Sequence, residues 1–129
     1  MNALAPFNVL LAEPDRLTRE TLAEFLASEG VETWTAEDGR SALRIAQEVP
    51  IHAGIIDVSL PDFTGLRLLA MLRQFLPIPV LFIGTTESKE VRLQAADAGA
   101  WSFLPMPFVP EIARTTIHVF AARFFFGAR

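Results

Sequence analysis

The sequence predicts an α/β fold, a five-stranded parallel sheet with helices on both faces, and three observations predict it. Five short apolar runs, at residues 8–12, 31–36, 53–56, 80–83 and 102–104, alternate with five stretches whose apolar residues recur at helical spacing. Each interval between runs is long enough for a crossover helix, as parallel pairing requires. The third run ends on one carboxylate, Asp57, and then breaks into a loop holding Ser59, Pro61, Asp62, Thr64 and Gly65. Open sheets of this kind keep their reactive groups at that carboxyl edge.

Length and composition bound the answer. At 129 residues the chain reads as one domain, 1–129, able to bury about two thirds of its unfolded surface. It is 51% hydrophobic and 20% charged, which is a globular balance, and it has no cysteine for disulfides or thiolate metal sites. A formal charge of -4, with eleven Lys and Arg spread along the chain, argues against direct contact with nucleic acid. No basic, apolar leader opens the sequence, and no apolar stretch approaches the roughly 20 residues of a membrane span. A cytoplasmic protein with no membrane partner is the expectation.

Residues 1–7 read as a flexible lead. NVLLA at 8–12 lacks polar alternation, as expected of a strand covered on both faces, and it stops at Glu13, Pro14 and Asp15. Leu17, Leu22, Phe25 and Leu26 then mark a helix that Gly30 ends. VETWTA at 31–36 alternates with period two, which suggests a strand near an edge. Asp38 and Gly39 turn the chain into a short helix carrying Ala42, Leu43, Ile45 and Ala46. Beyond the third run, Leu66, Leu69, Leu72 and Leu76 form a helical stripe closed by Pro77 and Pro79.

The fourth run, VLFI, leads to Gly84, Thr85 and Thr86, and Ser88 is placed to cap the helix that Gly99 ends. The fifth run stops at Pro105, Met106 and Pro107. A last helix with an aromatic tail is expected over 110–126, with Pro110 suited to its first position. Ile112, Thr116, Val119, Phe120 and either Arg123 or Phe124 make one stripe. Phe124, Phe125 and Phe126 project about 100° apart and cannot all face a sheet, so either the helix end frays and folds them over the domain or a partner covers them.

The punctuation of the chain resembles the receiver domain of bacterial two-component response regulators, a flavodoxin-like (βα)5 three-layer sandwich of strand order 2-1-3-4-5. The matches are VLLAEPD at 9–15, AEDGRSAL at 36–43, DVSLPDFTG at 57–65, IPV at 78–80, AGA at 98–100 and PMPF at 105–108. They span nearly the whole chain. The resemblance implies that Asp57 is the phosphoacceptor. It also implies a Mg²⁺ ion held by an acid pair after the first strand, a hydroxyl at the end of the fourth, and a lysine before a cis proline after the fifth.

Here the acid pair falls on Glu13 and Pro14, the hydroxyl on Gly84 and the lysine on Met106. Attack by a carboxylate on phosphorus needs its surrounding negative charge neutralised. Pro14 has no carboxylate and no N–H, Gly84 no hydroxyl, and Met106 no positive charge. Weak Mg²⁺ ligation by Glu13, Asp57 and the carbonyl of Ser59 is expected, with Asp15 a lesser candidate and Thr85 a substitute hydroxyl. The resemblance makes Gly84, Thr85, Phe103 and Met106 the switch positions. It makes the fourth helix, fifth strand and fifth helix the signalling face, with Trp101, Phe120, Phe124, Phe125 and Phe126 as interface candidates.

The function expected is a degenerate receiver that works by protein contact, as a homodimer or with a partner, with weak or no aspartyl phosphorylation. The alternative is a conventional receiver phosphorylated at Asp57 by a histidine kinase with Mg²⁺. For Asp57 itself, capping of the following helix or bonding to turn amides is the plain structural reading. A nucleotide- or flavin-binding protein is disfavoured because no glycine-rich loop follows the first strand, and no nucleophile–base pair suggests an enzyme.

Overall fold

A computed structural model describes residues 6–85 and 88–125 of the chain. Ten elements alternate: β1 (Asn8–Ala12), α1 (Arg16–Ala27), β2 (Glu32–Ala36), α2 (Gly39–Glu48), β3 (Ala53–Asp57), α3 (Gly65–Leu72), β4 (Val80–Gly84), α4 (Lys89–Asp97), β5 (Ser102–Pro105) and α5 (Pro110–Phe124). The strands pair in parallel in the order β2-β1-β3-β4-β5, so the flavodoxin-like expectation holds.

The central strands are apolar throughout because both of their faces are covered. In β1, Val9 and Leu11 enter a core with Leu22, Phe25 and Leu26 of α1 and with Ile117 and Phe120 of α5. The alternate residues Leu10 and Ala12 enter a second core with Ala42 and Ala46 of α2 and with Leu68, Leu69 and Leu72 of α3. β2 lies at one edge, with Glu32, Trp34 and Thr35 exposed, which is the placement its alternation predicted.

Helix starts follow the residues that can satisfy free amides. Asp15, Asp38, Thr64 and Ser88 cap α1 to α4 through side-chain oxygens, and Pro110 opens α5 without such a cap. Gly30 and Gly99 leave their helices at φ +78° and +85°, where a side chain would be strained. The caps and strand ends therefore place the loops after β1, β3, β4 and β5 at one edge of the sheet.

Three expectations about packing are corrected. In α5 the buried face is Ala113, Ile117, Phe120 and Ala121, continued by Phe125, whereas Ile112 and Val119 are exposed. Weighing only large side chains selects the wrong face, because two alanines are what let this helix approach the sheet. In α3 the buried set includes Leu68, while Leu66 and Leu76 are half-buried and Leu76 lies beyond the helix end. Leu17, expected inside, is 73% exposed on the first turn of α1.

Phe7, the last residue of the expected lead, packs against the domain. The Phe7 carbonyl accepts from Glu32 N–H at 3.0 Å, and its ring lies 4.9 Å from the rings of both His52 and Phe125. Aromatic rings with apolar partners bury readily. Residues 1–5, Thr86, Glu87 and 126–129 lie outside the described residues, and Phe126 with them. Among the described residues no helix is long and apolar enough to cross a membrane.

Candidate functional site

Asp57 ends β3 and is half-buried at the carboxyl edge. Its Oδ1 accepts from Ser59 N–H at 2.8 Å. The loop beyond turns tightly beneath it: Gly65 N–H donates to the Val58 carbonyl at 3.0 Å, and a side chain at Gly65 would collide with the Asp57 carbonyl. The glycine at residue 65 is thus a requirement of close approach. Thr64 caps α3 from the same loop, so Asp57 is free of that duty.

Glu13 follows β1 and is 2% exposed, fixed by its own N–H donating to the Ala36 carbonyl at 2.9 Å. Its Oε2 accepts from Asp15 N–H at 2.8 Å, and its Oε1 is buried with no donor. Burial, then a hydrogen bond shared with Asp57, then repulsion by Asp57 and Asp15 push its pKa up from 4.5 to about 8, against the opposing pull of the Asp15 amide. Ionised, the buried Oε1 would have no donor; protonated, it needs none. At neutral pH the raised pKa therefore keeps the Glu13 carboxyl protonated.

Asp15 caps α1 beside this cleft. Its Oδ2 accepts from Thr18 N–H at 2.9 Å and from the Thr18 hydroxyl at 2.8 Å, and these bonds, the amide first, hold its carboxyl below the usual range. The side chain expected as a lesser metal ligand is spent on capping α1. Among the described residues no cluster of three or more acids or histidines is arranged around a metal position.

Gly84 ends β4 beside the acid, as the sequence placed it. A β-carbon there would stand 3.5 Å from Asp57 Oδ1 and would overlap Val58 Cγ2. Thr85 is exposed and lines a cavity of about 230 Å³, between Val58, Ser59 and Thr64 on one side and Val91 and Gln94 on the other. Met106 N–H donates to the Gly84 carbonyl at 2.8 Å, its side chain is half-buried, and its bond to Pro107 is cis. Phe103 is half-buried on β5 with the Arg92 guanidinium 5.9 Å from its ring.

The interface candidates are divided. Phe120 and Phe125 are fully buried core residues, which corrects their assignment to an interface. Trp101 and Phe124 are half-buried, with Trp101 stacked 5.1 Å from Phe120 and Phe124 edge-on to both. Phe125 ends the helix in αR conformation and inserts between Phe7 and Phe120, so Phe124 and Phe125 cover the core.

Two contributors escaped sequence reasoning. The Arg19 guanidinium donates to the carbonyls of Glu13 at 2.9 Å and Pro14 at 3.3 Å and pairs with Glu37 at 3.3 Å, tying the loops after β1 and β2 together. Asp62 accepts from Gly39 N–H at 2.8 Å and Arg40 N–H at 2.9 Å. Partial desolvation raises its pKa, but these amides and those of Asp62 and Phe63 lower it further, for a net downward shift. Asp62 followed by an aromatic residue in a turn was a weak sequence signal, because nothing local says which amides it meets.

A doubly wound parallel sheet with an acid pair at its carboxyl edge, one acid ending the third strand, defines a class of signalling domain. The family model for the response regulator receiver domain matches residues 9–118, and the chain belongs to that family. It is 34% identical over 107 residues to the response regulator MprA of Mycolicibacterium vanbaalenii, covering 82% of this chain and 46% of that protein. It is 34% identical over 100 residues to the transcriptional regulatory protein KdpE of Mycobacterium tuberculosis, covering 78% and 44%. The chain thus spans somewhat less than half the length of these relatives.

Among solved structures, the chemotaxis response regulator CheY4 of Vibrio cholerae superposes with a TM-score of 0.79 at 30% identity, covering 89% of this chain and 98% of that one. A beryllofluoride-activated DrrB receiver domain shares the fold, with a TM-score of 0.81 at 24% identity over 92% of this chain and all of that one. Receiver domains of this class act as signal-transduction modules rather than as enzymes.

Proposed function

We propose that this chain is a receiver that signals by protein contact, with phosphoryl transfer to Asp57 weak or absent. The observation that carries the reading is the company Asp57 keeps. Its Oδ1 takes a backbone amide, its neighbour across the cleft is a buried acid, and the adjoining end of β4 is a glycine. Nothing in that set neutralises the charge that builds up when a carboxylate attacks a phosphoryl group. The contact surface would be α4, β5 and α5, where Leu93, Ile112 and Val119 are exposed beside half-buried Trp101 and Phe103. Its occupant would be a second copy or a partner protein.

Likeness to proteins named as response regulators favours a second reading over the first: a conventional receiver phosphorylated at Asp57 by a histidine kinase. The buried, donor-less Glu13 Oε1 against Asp57 is a fit for a hard cation, which prefers oxygen ligands and keeps several waters. Glu13, Asp57 and the carbonyl of Ser59 would hold Mg²⁺, which supplies charge neutralisation when bound. Without a carboxylate at Pro14, and with Asp15 engaged in capping, the ion would be held weakly.

Incubation with a small phosphodonor and Mg²⁺, followed by intact-mass measurement, separates the two. The expected result is little or no mass increase. Rapid, Mg²⁺-dependent gain of a phosphoryl group on the wild type but not on Asp57→Ala would establish the conventional reading.

A further inference from the structure

We propose that Asp62 is a positioning residue that ties the state of Asp57 to the amino terminus of α2, so that a change at the acceptor carboxylate is felt at Gly39 and Arg40. The inference deepens the reading above and rests on it in one respect, namely that Gly84 and Met106 offer no polar side chain to carry a response along β4 and β5.

The tie is built from short links. Asp57 Oδ1 holds Ser59 N–H at 2.8 Å, and Ser59 is bridged in antiparallel fashion to Thr64 across the loop. Between them, Asp62 spends both carboxylate oxygens on α2, taking Gly39 N–H at 2.8 Å with Oδ1 and Arg40 N–H at 2.9 Å with Oδ2. The Phe63 ring rests against Gly39 so closely that a β-carbon there would overlap it, and the Arg67 guanidinium lies 5.9 Å from the same ring.

Capping alone does not call for this arrangement. Asp38 already caps α2, accepting from Ser41 N–H at 2.7 Å through its side chain and from Ala42 N–H at 3.1 Å through its carbonyl. Water could satisfy the exposed Arg40 amide, so capping asks at most for the one oxygen that meets the buried Gly39 amide. What a second carboxylate adds, from more than twenty residues away along the chain, is a mechanical link. Any group that competes for Asp57 Oδ1 releases Ser59 N–H, and the short loop passes that displacement to Asp62. Coupling of this kind is shown by a perturbation at one site that moves the other, not by proximity.

Backbone amide spectra of the ¹⁵N-labelled protein test it in four forms: wild type, Asp57→Asn, Asp62→Ala and the double variant. Asp57→Asn is expected to shift the Gly39 and Arg40 amides more than those of Leu104 and Met106, and the response at Gly39 and Arg40 is expected to collapse when Asp62 is alanine. Asp62→Asn, which keeps one accepting oxygen, provides a milder break and should give an intermediate response. Equal responses at Gly39 and Arg40 with and without the Asp62 carboxylate, or a response confined to β4 and β5, would overturn the proposal. Rapid phosphorylation of the wild type would sink the reading of weak transfer and leave this map standing, so the two failures are distinguishable.

Discussion

The two edges of the sheet are held together by different physics. At the carboxyl edge, Glu13, Asp57 and Asp62 are fixed by backbone amides, and one buried carboxylate oxygen has no donor of its own. At the amino edge, Phe7, His52, Trp101, Phe120, Phe124 and Phe125 form a continuous chain of ring contacts at 4.9–6.0 Å. Apolar burial favours one arrangement and gains with every atom covered. A buried acid such as Glu13 costs stability but has more than one protonation state, and a group that can change state is what a signalling site needs. The difference teaches that this chain keeps its stability at one edge and its capacity for change at the other.

The largest effect expected from that contrast is at the aromatic edge. Phe125→Ala removes a fully buried ring that touches Phe7 and Phe120, and should cost about 3–5 kcal/mol. Urea unfolding of this variant beside Asp57→Asn checks the division. If Phe125→Ala costs no more than Asp57→Asn, stability is not concentrated at the amino edge and the comparison fails.

How much of this was legible beforehand differs between the edges for physical reasons. Strands covered on both faces announce themselves as apolar runs, and the caps Asp38, Ser88 and Gly99 act within a few residues of themselves, so element order and the place of Asp57 and Gly84 could be read directly. The burial of Phe125 could not. It depends on Ala113 and Ala121 being small enough to seat α5, and on Phe7 arriving from the far end of the chain. Arg19 and Asp62 were hidden for a related reason, since their partners are carbonyls and amides, which every residue carries. The capping role of Asp15 was hidden because a carboxylate near a site and a carboxylate capping a helix look alike in sequence.

The second test concerns the acid edge and its pH dependence. Glu13 binds a proton up to about pH 8 when folded but only up to about 4.5 when unfolded. Unfolding therefore releases a proton between those values, and stability falls as pH rises: the contribution is complete below 4.5 and is lost on passing through 8. Thermal unfolding in the presence of a chelator should show Tm declining by several degrees from pH 5 to pH 9, with the slope largely abolished in Glu13→Gln. A Tm that rises over this interval, or a slope that Glu13→Gln leaves unchanged, would mean that burial does not keep Glu13 protonated in the folded state.

The smallest effect on stability belongs to the outward face of α5, where the sequence reading placed Phe120 on the correct face and Ile112 and Val119 on the wrong one. Ile112 and Val119 lie seven residues apart on the exposed side, with Val119 48% exposed and Ile112 56%, so neither helps to hold the helix on the sheet. Val119→Asp should change stability by at most about 0.5 kcal/mol, as surface substitutions do. If α4, β5 and α5 meet a second copy, the same substitution places a charge in an apolar interface and should convert dimer to monomer in light scattering. Phe125→Asp cannot make this distinction, because it breaks the core before it reaches any interface. A wild type already monomeric at high concentration, matched by Val119→Asp, would exclude the second copy and leave a different protein as the occupant of that face.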